Sequence, residues 1–129
     1  ADMNDAIRRT LNPHVSGINL VVRFNVPRER LSDNTTHALL RIIRELVQNA
    51  VRHSNAANIR IAGKLDDEQL LFSVSDDGCG FDPNNVQGVH QGHFGLQGIR
   101  ERIDLLGGEM TISSTIGHGT KVSISLKTS

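Results

Sequence analysis

A chain of 129 residues with 37% hydrophobic side chains suits one globular domain, not a disordered segment. Its fourteen basic and fourteen acidic residues cancel, which argues against broad contact with nucleic acid or an anionic membrane, since both are favoured by a basic excess. One cysteine excludes an internal disulfide and a cysteine-rich zinc site and fits a reducing cytoplasm, and no apolar run reaches the roughly 18 residues needed to cross a bilayer.

Met3, Ile7 and Leu11 recur at spacing four until Asn12-Pro13. Residues 1–17 therefore read as the end of an upstream helical region or linker, with the domain proper over 18–129. Ile18, Leu20, Val22, Phe24 and Val26 alternate up to Pro27 and predict a strand with one buried face. Ser32 or Asp33 caps a helix over about 35–54, with Leu39, Ile42, Ile43, Leu46, Ala50 and Val51 as its apolar stripe. Ile59 and Ile61 open a second strand, and an Asp66-Asp67 turn leads into a third that carries Leu70, Phe72 and Val74 on one face. From Gly78 to Gly95 no period is usable; a compact domain rarely keeps so long a loop without a function such as a lid. Leu96, Ile99, Ile103 and Leu106 form a second helical stripe capped by Gly107-Gly108. Met110, Ile112 and Ser114, then Val122, Ile124 and Leu126, make a final hairpin. The predicted fold class is α+β, a two-layer sandwich with helices on one face of a mixed, mostly antiparallel sheet.

Four segments carry chemistry. At about 100° per residue, Asn49 and His53 fall within about 80° of Glu45, at the edge of the helix's buried stripe. Glu45, Asn49, Arg52 and His53 thus form a polar border, able to hold a hard cation or meet phosphate oxygens, or to be a plain boundary stripe with an i,i+4 hydrogen bond. Strand parity puts Asp76 on the same face as Leu70, Phe72 and Val74, where a carboxylate needs a donor; Gly78 and Gly80 after it let backbone approach a flat ligand, although an Asp-Gly turn alone would cap local amides. Gly92, Gly95 and Gly98 lead into a helix whose N-terminal amides favour phosphate. Gly117-His118-Gly119-Thr120 is a hairpin tip. His90 and His93, spaced by three, lack a carboxylate or thiolate to complete a zinc set, and Cys79 has no neighbour to activate it.

Together these segments resemble the ATP-binding domain of sensor histidine kinases. Glu45-Leu-Val-Gln-Asn49-Ala-Val-Arg52-His53 resembles the N box, Asp76-Asp-Gly78-Cys-Gly80-Phe-Asp82 the first glycine box, and Gly92-His-Phe-Gly95-Leu96-Gln-Gly98-Ile-Arg-Glu-Arg the second, in the wording of the nitrate-sensor and degradation-sensor subgroup. Gly117-His-Gly119-Thr120 resembles the closing box. The resemblance implies a Bergerat-type fold that binds Mg²⁺ and ATP. It assigns the metal to Asn49, a water-orienting or base-like role to Glu45, phosphate contact to Arg52 and His53, and the adenine amino group to Asp76 within a pocket shaped by Gly78 and Gly80. Gly92, Gly95, Leu96 and Gly98 would contact the nucleotide, Thr120 would lie near adenine, and a lid from about Asp82 to Phe94 would hinge on Gly92 and Gly95. The implied partners are a dimerisation and phosphotransfer domain of the same parent and, through it, a response regulator, in the cytoplasm, with no nucleic acid and no direct membrane contact.

None of the six histidines precedes an acidic residue, as the phosphoacceptor of such kinases does, so the fragment is expected to bind ATP without appreciable autophosphorylation. The competing readings are an anti-sigma-factor-like serine kinase, an ATPase related to gyrase and the heat-shock chaperones, and a degenerate module that docks a partner without nucleotide.

Overall fold

The structure, a computed structural model, describes residues 3–53, 55–80 and 94–128. Three α-helices, α1 (Met3–Leu11), α2 (Asp33–His53) and α3 (Phe94–Leu105), accompany five strands: β1 (Asn19–Asn25), β2 (Asn58–Asp66), β3 (Gln69–Asp76), β4 (Glu109–Ser114) and β5 (Thr120–Lys127). The strands form one sheet in the order β1-β2-β3-β5-β4. β1 and β2 run parallel, because α2 carries the chain back between them; the other three pairings are antiparallel. This is the α+β sandwich that the alternating and helical stripes predict.

Alternation in the strands divides the sheet into two faces. Val22, Phe24, Ile59, Ile61, Leu70, Phe72, Val74, Val122, Ile124 and Leu126 are buried on the face that meets the helices. Against them pack Leu39, Ile42, Ile43, Leu46 and Val47 of α2 and Ile99 and Ile103 of α3. Met3, Ile7 and Leu11 of α1, each fully buried, belong to the same core, and Asn4 Oδ1 accepts the Phe24 amide at 2.8 Å. The segment expected as an upstream helix end is therefore packed on this sheet.

Local chemistry sets the helix ends. Ser32 Oγ accepts the Thr35 amide at 3.0 Å and starts α2. At the end of α3, Gly107 adopts φ +74, and the Gly108 and Gly107 amides bond back to Ile103 and Asp104 at 2.9 and 3.1 Å. That cap turns the chain one residue early for Leu106, which lies beyond the helix and is exposed instead of closing the stripe. The β2–β3 turn also moves by one residue: Asp67, with φ +56, occupies it with Glu68.

Gly63 sits between Phe24 and Phe72 in the register, and their rings meet across it at a centroid distance of 6.4 Å. A Cβ on Gly63 would coincide with the Phe24 ring. We expect Gly63→Ala to destabilise the domain by about 1–3 kcal/mol through overpacking, read from the midpoint of urea unfolding. An unchanged midpoint would show that Phe24 is free to move aside.

Candidate functional site

β3 ends on the inward-facing Asp76, which is half-buried, as its parity requires. Its Oδ1 accepts the Gly78 amide at 2.8 Å. Burial raises its pKa above the ordinary 3.8; the Gly78 amide opposes that, the neighbouring Asp77 charge adds to it, and the Thr120 backbone again lowers it. Among the described residues no cation is one of those causes, and it is backbone amides that meet the buried charge. Both readings of the Asp-Gly pair hold together: the carboxylate points inward and also caps a turn. A carboxylate has about four acceptor sites, more than these amides use.

Asp77 points the other way. It accepts the amides of Ala57 and Asn58, both at 2.9 Å, and Asn58 Nδ2 at 2.7 Å, and these bonds hold its pKa below the usual range. It thus ties the chain between α2 and β2 to the end of β3, a role the sequence reading missed.

Gly80 and Gly119 are the closest backbone crossing. Gly80 (φ +66) has no room for a Cβ because the Thr115 carbonyl occupies that space, and Gly119 (φ +84) is closed off in the same way by the Asp76 carbonyl. The Gly117 amide donates to the Cys79 carbonyl at 2.6 Å. The space beside Gly80, expected to admit a ligand, is taken up by the protein's own backbone. Thr120, the register partner of Asp76, shares a 2.8 Å hydrogen bond with Ser114 Oγ, which also reaches the Gly119 carbonyl at 3.1 Å. Ser114 was not singled out by sequence; only its pairing opposite Thr120 reveals it.

On α2, Asn49 is half-buried, and its Nδ2 is a buried polar atom without a hydrogen-bond partner among the described residues. Such an atom costs stability unless something else engages the amide. Glu45, one turn earlier, has both oxygens engaged: Oε1 lies 3.4 Å from Arg41 Nε, and Oε2 lies 2.9 Å from Arg102 Nη1 on α3. Arg52 is exposed. The His53 side chain, Gly92 and the segment expected as a lid, except Phe94 at the start of α3, lie outside the described residues. α3 begins at Phe94, so Gly95 and Gly98 sit within the helix and not ahead of it. Leu96 packs half-buried against the core, and Gly98 faces open space.

A hollow of about 240 Å³ opens at the strand ends beside Asp76, lined in part by Ser114, Thr115, Gly119 and Thr120. That is less than a complete ligand pocket usually offers, so it suits one part of a ligand. A larger concavity, of about 550 Å³, lies on the opposite sheet face among Arg23, Lys64, Ser73 and Ser123, away from Asn49 and Asp76. The titratable and orphaned groups favour the smaller one as the functional end.

A half-buried acid at a strand end, an amide nitrogen without a partner among the described residues on the facing helix and two interlocked glycine turns thus gather at one end of the sheet. The profile of the family described as histidine kinase-, DNA gyrase B- and HSP90-like ATPase matches residues 34–129, and the chain belongs to that family. Within the family it is of the two-component sensor histidine kinase kind. The histidine-protein kinase/phosphatase UhpB of Salmonella typhimurium is 38% identical over 121 residues, which cover 94% of this chain and 23% of that protein. DegS of Bacillus subtilis is 38% identical over 96 residues (74% and 25% covered), and the nitrate/nitrite sensor NarQ of Escherichia coli 34% over 131 residues (98% and 22%). The chain thus spans about a quarter of the length of these relatives. In fold it is similar to the Erythrobacter litoralis EL346 blue-light activated histidine kinase, at a TM-score of 0.74 and 22% identity over 97% of this chain and 39% of that one. The mycobacterial sensor histidine kinase MprB matches at 0.71 and 20%, over 98% and 95%.

The raised pKa of Asp76 makes its ionisation a cost to the folded state, present above the raised value and absent below 3.8, where the group is neutral folded or unfolded. Asn in its place keeps an acceptor for the Gly78 amide and never charges. We expect Asp76→Asn to melt above the parent at pH 7, with the difference closing as the pH falls below 3.8. Melting curves across that range test this; a variant less stable at pH 7 would overturn the desolvation account.

Proposed function

We propose that this domain binds Mg-ATP and supplies the γ-phosphoryl group for phosphorylation of a histidine on a separate dimerisation domain, which in turn feeds a response regulator. The observation that carries the reading is Asp76, a half-buried carboxylate at the mouth of a small hollow, with no cation among its described partners. A carboxylate there accepts from an exocyclic amino group, so adenine suits it and a base with a carbonyl at that position does not. Thr120 and Ser114 frame the same hollow.

Asn49 supports the phosphate end. Its buried Nδ2, without a partner among the described residues, would donate to a phosphate oxygen or a water, leaving the side-chain oxygen to hold Mg²⁺, an ion that usually takes few protein ligands and relies on phosphate oxygens and water for the rest. When bound, the ion neutralises phosphate charge. Arg52, exposed near the end of α2, and His53 would meet the phosphates, and a lid from about Asp82 to Phe94 would hinge on Gly92 and Gly95. Gly95, Leu96 and Gly98 would then act through the first turns of α3 beneath that lid. Residues 1–17 are the junction to the dimerisation domain, with α1 anchored on the sheet. The parent works in the cytoplasm; the net charge of zero supports the absence of nucleic-acid or direct membrane contact.

Calorimetric titration of ATP, with and without Mg²⁺, tests the reading. We expect saturable binding that tightens with Mg²⁺, and at least about a tenfold loss in Asp76→Asn, from losing one hydrogen bond to a charged group. GTP should bind at least about tenfold more weakly than ATP to the parent. Equal ATP affinity in Asp76→Asn would remove adenine from Asp76, and a parent blind to ATP at high concentration would leave a partner-docking module.

A further inference from the structure

Glu45 is the one acidic group on the polar border of α2, and both of its carboxylate oxygens already have a cationic partner. Arg102 Nη1 stands 2.9 Å from Oε2 and Arg41 Nε 3.4 Å from Oε1, so both oxygens already face guanidinium groups. Arg41 lies one turn back on the same helix, and its pairing constrains nothing beyond α2. Arg102 is on α3, 57 residues further along the chain. Its bond is the only ion pair joining α2 to α3 among the described residues. Arg100, half a turn away, donates to the Met110 carbonyl at 3.1 Å and fixes the other side of α3 to β4. α3 itself has a short apolar footing, with Ile99 and Ile103 buried and Leu96 half-buried, and three of its first five residues are Phe94, Gly95 and Gly98. A helix held by so few apolar contacts depends more than usual on its polar clips.

We infer that Arg102 is a positioning residue for the nucleotide: through Glu45 it holds α3, and with it Gly95, Leu96 and Gly98, against the helix wall that carries Asn49. The inference rests on the ATP-binding reading above and assigns Glu45 a different task from the base-like one that the motif implies. The carboxylate orients a helix, and the helix presents its first turn to the phosphates. Glu45 and Arg102 then act as a unit, and removing either removes the same thing.

The test is a double-mutant cycle on this chain with ATP affinity and amide hydrogen exchange as readouts. The pair is about 30% exposed on each side, so a modest effect is expected. Glu45→Ala and Arg102→Ala should each weaken ATP binding about threefold to fivefold, and the double variant should bind no worse than either single one. Arg102→Met, which keeps an apolar stem and loses the charge, should lose as much affinity as Arg102→Ala, whereas a mere packing role for the Arg102 stem would spare it. Without nucleotide, both single variants should exchange the amides of α3 faster while α2 is unaffected. Losses that multiply in the double variant would mean that Glu45 meets the nucleotide or its water on its own, and would overturn the inference. So would unchanged α3 exchange. If the parent chain fails to bind ATP, the nucleotide reading fails by itself, and the exchange measurement still decides whether the pair holds α3.

Discussion

The site hangs on one backbone crossing. The chain leaving β3 passes so close to the β4–β5 turn that neither Gly80 nor Gly119 can carry a side chain. Each glycine faces a carbonyl of the opposing segment, Gly80 that of Thr115 and Gly119 that of Asp76. Because Asp76 is itself one side of the crossing, the placement of its carboxylate is settled by main-chain atoms and not by side-chain packing. Thr120 and Ser114 inherit their positions from the same contact, through register opposite β3 and a shared hydroxyl bond. A site built this way tolerates little drift, since carbonyls cannot rotate out of one another's path as flexible side chains can.

The two consecutive aspartates divide the work of the strand end. Asp77, facing outward, gathers three donors from Ala57 and Asn58 and is stabilised in its charged form. Asp76, facing inward, is penalised in its charged form by burial. The favourable bonds of one residue fix the connection between α2 and β2, and so the distance between the wall bearing Asn49 and the sheet bearing Asp76. An acid that is costly to the fold and an amide left without a partner are both expected at a functional site, where local rules yield to ligand chemistry.

Alternation and helical spacing made most of the fold legible, because one-sided burial leaves a period in the sequence. The inward parity of Asp76 and the border position of Asn49 could be read in the same way. What escaped was whatever depends on a partner far along the chain. Nothing near Glu45 announces Arg102, and the motif reading treated Gly80 as room for a ligand when the structure fills that room with Thr115. Leu106 kept the right spacing yet is exposed, since the Gly107 cap stops the helix before the period runs out. Spacing speaks for faces; it is silent about which distant atoms a face meets.

β1 is the outermost strand on its side of the sheet, and its free main-chain groups would otherwise offer a template to any extended chain. Asn4 closes that opening by accepting the Phe24 amide, while Met3, Ile7 and Leu11 anchor the helix that brings it there. The short first helix thus covers part of the outer edge of β1. Without that helix the sheet and the described site residues would remain, but the outer edge of β1 would keep one more unpaired amide to offer an extended chain.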